Sequence, residues 1–127
     1  KIFMGASTGN MLVDNLNSLE DIFLHCPKLI ATHCESSPII DRNLKAAKEK
    51  YGDDIPLEMH TEIRSRECCI ESSTLAVNLA KNNGSRLHVL HLTTKDEIDF
   101  FSNSSNVAGK SITAEVCIHH MLYSTPL

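Results

Sequence analysis

Tryptophan is absent, aromatic residues make up only 5% of the 127 positions, and no apolar stretch approaches the length of a membrane span. No membrane partner is expected. An excess of basic residues is also missing: 12 Lys and Arg stand against 16 Asp and Glu, the formal charge is −4, and there is no basic run. Nothing therefore favours a nucleic acid or an anionic surface as partner. The opening KIFMGASTGN lacks the basic segment and long apolar region of a leader, so the cytoplasm is the expected compartment. The five cysteines, Cys26, Cys34, Cys68, Cys69 and Cys117, are odd in number and show no C-x-x-C spacing. Adjacent cysteines such as Cys68 and Cys69 do not easily bridge to each other, so the thiols read as reduced and mostly buried.

What is present suits one compact unit. A hydrophobic content of 42% is enough for an ordinary core, and no repeat, low-complexity tract or linker divides residues 1–127. The organising stretch is Arg86–Thr94, RLHVLHLTT, whose apolar run between polar flanks reads as a short strand covered on both faces. Strict alternation puts His91 on one face with Leu87 and Val89, and His88 on the other with Leu90 and Leu92. His88 is expected to face a helix layer.

The remaining elements follow in order. Lys1–Met4 is a short strand ending at Gly5, and a loop runs to Asn10. A chain that begins inside a strand reads as a piece of a longer one. Ser18 with Asp21 resembles a capping box, opening a helix with Leu19, Ile22 and Phe23 on one face and ending before Pro27. Leu29–Glu35 is a second strand, and Ser37-Pro38 opens a helix to about Tyr51, stopped by Gly52. A long helix is expected from about Glu62 to Asn82, stopped by Gly84. After the 87–92 strand, Thr94 caps a helix with Ile98 and Phe101 inward, Asn103–Asn106 forms a loop, and Ser111–Ile118 is a fourth strand. The β-α-β-α-β-α-β order implies parallel pairing through right-handed crossovers. The fold class is α/β, either an open doubly wound sheet or part of a (β/α)₈ barrel.

His33 and His91 lie near the carboxyl ends of successive strands, where parallel α/β proteins place their chemistry, and Lys1 lies in the strand before them. Neighbouring strands could direct all three to one place. That suits a metal such as zinc, which takes neutral imidazole and leaves a position open for water. The competing reading is a pair of hydrogen-bonded core histidines. His25 and His60, at a helix end and in a connection, belong to the surface.

Four motifs in one order carry a more specific signal: KIFMGASTGN at 1–10, IATHCE at 30–35, LHVLHLTT at 87–94 and TAEVCIHH at 113–120. Together they resemble the middle of the bacterial dihydroorotases of the amidohydrolase superfamily, along almost the whole chain. The resemblance implies a partial (β/α)₈ barrel, strands four to seven, roughly half of a barrel of ~250 residues. It implies that Lys1 corresponds to a lysine carboxylated by CO₂ that bridges two zinc ions, and that His33 and His91 hold the second metal. His119 and His120 correspond to a double histidine assigned to lining the mouth of the site, and Glu115 to barrel support. It implies hydrolysis of a small cyclic amide, dihydroorotate, reversibly to N-carbamoyl-aspartate in pyrimidine biosynthesis.

The departures are equally definite. No H-x-H occurs, although that family holds its first metal with one, and no D-x-A-P-H stretch supplies the proton-moving aspartate. The polypeptide alone is therefore expected to be inactive and to form at most a half-site for one metal. Half a barrel would expose two strand edges, so self-association or residence in a longer chain is expected. An alternative is a flavodoxin-like FMN-binding electron-transfer protein, with the loop Gly5–Asn10 holding the phosphate. Against it, the first helix signal stands at Ser18, and few aromatics are available to stack on a flavin. A barrel that has lost its metals is disfavoured by the joint presence of Lys1, His33 and His91.

Overall fold

The computed structural model describes residues 1–7, 9–103 and 106–123. Thr8 of the first loop, Ser104 and Ser105 of the loop expected at Asn103–Asn106, and the terminal Pro126-Leu127 lie outside the described residues. Four strands, β1 (Ile2–Phe3), β2 (Ile30–His33), β3 (Leu87–Val89) and β4 (Ile112–Ala114), form one sheet in the order β1-β2-β3-β4. Every pair is parallel, with Phe3 opposite His33, Thr32 opposite Val89, and Val89 opposite Ala114. Right-handed crossovers between strands laid down one after another put all connecting helices on one face. A doubly wound flavodoxin sheet instead reverses its strand order at a switch point. The order here never reverses, and the next helix after Gly5–Asn10 begins at Leu16, so the FMN reading is not favoured.

The helices are α1 (Leu16–His25), α2 (Ser37–Tyr51), α3 (His60–Ile63), α4 (Arg66–Asn83) and α5 (Ile118–Leu122). Leu19 and Phe23 of α1 meet Ala76, Val77, Leu79 and Ala80 of α4 over Ile30, Leu87 and Val89 of the sheet. Leu19 and Phe23 are each 1% exposed, and burying each contributes about 2 kcal/mol. Among the described residues, no helix is long and apolar enough to cross a membrane.

Several boundaries differ from the sequence reading. Asn15, not Ser18, caps α1, because its side-chain oxygen accepts the Ser18 N–H at 3.1 Å. The long helix expected from Glu62 is interrupted at Arg64 and Ser65, where Asn43 Nδ2 donates to the carbonyls of Glu62 (3.1 Å) and Ile63 (3.2 Å). Thr94 does form a capping box with Glu97, but on a 3₁₀ turn, Lys95–Phe100, from which Ile98 points outward. The fourth strand is shorter than expected, because Ile118 already opens α5.

His88 does not face the helices. Leu87 and Val89, 0% and 1% exposed, take that side, so His88 stands on the opposite face, with Nδ1 2.8 Å from Thr113 Oγ1 and Nε2 3.3 Å from Glu115 Oε2.

Candidate active site at the carboxyl end of the sheet

Alternation buries Ile30 and Thr32 under the helices and leaves His33 half-buried on the other face, at the last position of β2. By the same parity His91 would point with Leu87 and Val89 into the helix layer. It does not, because β3 ends at Val89 and His91 turns into the left-handed region at φ +38°. That turn brings its ring onto the His33 side, with centroids 4.8 Å apart and His33 Nδ1 3.0 Å from His91 Nε2. A non-glycine residue held in this region is uncommon and marks a position fixed by its surroundings.

The other ring nitrogen of His33 lies 2.8 Å from Glu35 Oε2. A carboxylate only accepts, so Nε2 carries the proton and the Nδ1 lone pair faces His91. Glu35 is itself held by the Arg64 guanidinium, whose Nε donates to Oε1 at 2.8 Å and whose terminal nitrogen donates to Oε2. Burial alone would push the Glu35 carboxyl up, but the His33 hydrogen bond and the Arg64 fork outweigh it and hold the group down at about 2. Arg64 reaches Glu35 from the break between α3 and α4, so the interruption of that helix serves the site. Gly5 seals the other flank: a Cβ there would lie 1.9 Å from the Glu35 carbonyl oxygen. Only glycine permits β1 to leave the sheet this close to Glu35.

His91 is held below the usual imidazole range, by burial first and then by repulsion from His33, Lys1 and His120. A neutral ring is the form that binds a cation. Two nitrogens on one tetrahedral zinc stand roughly 3.3 Å apart. The 3.0 Å separation and the tautomer imposed by Glu35 therefore fit a metal-binding pair. Lys1 is exposed, its Nζ 4.6 Å from the centre of the Phe3 ring, which is 5.9 Å from the His33 ring.

The small pocket between these groups is lined by His33, Glu35, Leu90, His91 and Glu97 together with Cys34 and Cys69. Neither thiol is a nucleophile here. Burial pushes Cys34 up to about 11, and hydrogen bonding with Cys68 together with burial pushes Cys69 up as well. The chemistry left is that of imidazole and carboxylate. His119 and His120 lie on α5, their rings 4.4 Å from each other, with His120 Nδ1 donating to the Leu92 carbonyl at 3.2 Å, next to His91. Sequence reasoning missed Glu35 and Arg64. The i, i+2 spacing of His33 and Glu35 was a usable sign for the first, and Arg64 carried none.

No protein-family model matches the chain. It is 30% identical over 128 residues to a dihydroorotase of Staphylococcus aureus, covering 94% of the chain and 26% of that enzyme. An allantoinase of Enterococcus faecalis is 23% identical over 133 residues, covering 98% and 29%. Among solved structures, a D-hydantoinase of a Bacillus sp. superposes with a TM-score of 0.76 at 21% identity, covering 94% of the chain and 26% of its own. An L-hydantoinase of Arthrobacter aurescens gives 0.75 at 25%, covering 91% and 26%. The fold is a segment of a (β/α)₈ barrel, as in these solved structures. The chain spans about a quarter of the length of these curated relatives, an allantoinase and a dihydroorotase.

Proposed function

We propose that this chain is the central part of a cytoplasmic dihydroorotase, supplying strands four to seven of the barrel and one metal half-site. The observation that carries the reading is the convergence of His33 Nδ1 and His91 Nε2 at 3.0 Å, at the carboxyl ends of adjacent parallel strands. The 30% identity to the S. aureus dihydroorotase over 94% of the chain supports dihydroorotate as substrate, with allantoin as the competing candidate.

Zinc would be held by His33, His91 and Lys1, the last as a carbamate, since a free ammonium is a poor ligand. When bound, it supplies Lewis-acid polarisation of the cyclic amide carbonyl. The chain's own residues prepare that site. Glu35 keeps the His33 proton on Nε2, and Arg64 keeps Glu35 ionised. The protonated Cys34 and Cys69 thiols offer no competing nucleophile. The sequence has no counterpart of the aspartate that moves the proton, so these residues alone bind without turning over, and the active protein would be a longer chain.

The test is a parallel assay of dihydroorotate, hydantoin and allantoin with the full-length zinc-loaded protein and its His33→Ala variant. Dihydroorotate turnover lost in the variant is expected. Preference for hydantoin or allantoin would replace the dihydroorotase assignment, and hydrolysis of none of the three would overturn the reading altogether.

A further inference from the structure

Two groups of three potential ligand atoms come within 4.8 Å of one another among the described residues: Glu35 with Cys68 and Cys69, at the edge of the site just described, and Cys117 with His119 and His120. In the first, both Glu35 oxygens already accept from Arg64, and the guanidinium would repel a cation. The second contains no cation and no carboxylate. We propose that Cys117, His119 and His120 form a separate binding site for a borderline-soft divalent cation of the zinc class, with three protein ligands and one open position.

The order of the residues makes the site. Cys117 is the amino-terminal cap of α5, and His119 and His120 lie in the first turn that follows, so one helical turn gathers a thiol and two imidazoles. Sulfur with two ring nitrogens is a zinc-type donor set, which hard cations such as magnesium and calcium do not favour. The His120 tautomer is already set. Its Nδ1–H donates to the Leu92 carbonyl at 3.2 Å, leaving the Nε2 lone pair free for a metal. The His119 and His120 rings meet edge to face with an interplanar angle of 79°, and His119 is exposed, so a cation can enter from solvent. Occupation would release the Cys117 thiol proton to solvent and leave a thiolate on the metal. Through the Leu92 carbonyl it would also pin α5 to the exit of β3, one residue beyond His91.

Cobalt(II), titrated into the metal-stripped full chain, distinguishes this site from the His33–His91 pair, which has no sulfur. A thiolate-to-cobalt charge-transfer band in the near ultraviolet is expected, with release of about one proton per ion. The band should vanish in Cys117→Ser, weaken at least tenfold in apparent affinity in His119→Gln, and persist both in His33→Ala and in the double variant Cys68→Ser/Cys69→Ser. Circular dichroism of each variant checks the fold, and the exposed His119 gives the least disruptive substitution. Absence of the band, its persistence in Cys117→Ser, or its loss in the Cys68/Cys69 variant would each overturn the proposal.

Discussion

His33 and His91, 58 residues apart in sequence, place Nδ1 and Nε2 3.0 Å from each other at the carboxyl ends of adjacent strands. The contact depends on the left-handed turn at His91, without which the ring would follow Val89 into the helix layer. Replacing either histidine with alanine should weaken zinc binding at this site at least 100-fold, whereas His88→Ala, whose ring bonds Thr113 instead, should leave it within about threefold. Calorimetric titration in a Cys117→Ser background reads this site alone. Equal losses for all three variants would show that the convergence does not create the site.

Glu35 should act on metal affinity without being a ligand. Glu35→Gln keeps the size of the side chain but removes the charge that fixes the His33 tautomer, and it leaves Arg64 without its partner. Loss of such an outer hydrogen bond weakens metal binding by about 10–100-fold. Breaking the buried pair should also lower stability by roughly 3 kcal/mol. Zinc titration and urea unfolding measure the two effects separately. Arg64→Ala should reproduce the stability loss with a smaller effect on affinity, because the Glu35 carboxylate remains on His33.

Gly5→Ala tests how tightly β1 is wedged against the site. The added methyl would meet backbone, the Glu35 carbonyl at 1.9 Å, which cannot swing aside as a side-chain end could. Either β1 or the Glu35 turn must move, at a cost of about 1–3 kcal/mol. The urea midpoint should fall, and zinc affinity with it if the movement falls on Glu35. An unchanged midpoint would mean that the two segments are not in close contact.

The strands and their order were legible because each is a short apolar run with a polar exit, and His33 and His91 both stand at such exits. Their partners were legible only in part. Arg64 sits within a helical pattern that runs on through Glu62–Asn82. The break that frees it is made by Asn43, 19 residues before Glu62 and on another helix, a tertiary contact with no local sign. The face of His91 was misread for a related reason: alternation is a rule for strands, and nothing in L-H-L-T-T announces that the strand has already ended. His88 was assigned to the wrong layer because alternation separates two faces without saying which one the helices cover.

Acid should unfold the protein partly through Glu35. Its carboxyl sits at about 2 in the folded chain against an ordinary 4.5, so between those values the unfolded chain binds more protons than the folded one. The ion pair therefore contributes fully above about pH 4.5, and its contribution is lost as pH falls towards 2, on the order of 3 kcal/mol in all. The Arg66–Asp96 pair, which also holds its carboxylate down, titrates in the same direction but is more exposed, and salt screens it. Urea midpoints measured in high salt from neutral pH down to about 2 should fall for the wild-type chain and stay nearly flat over the last two units for Glu35→Gln. Parallel declines would assign the acid sensitivity to other groups and leave the Glu35–Arg64 pair without a net role in stability.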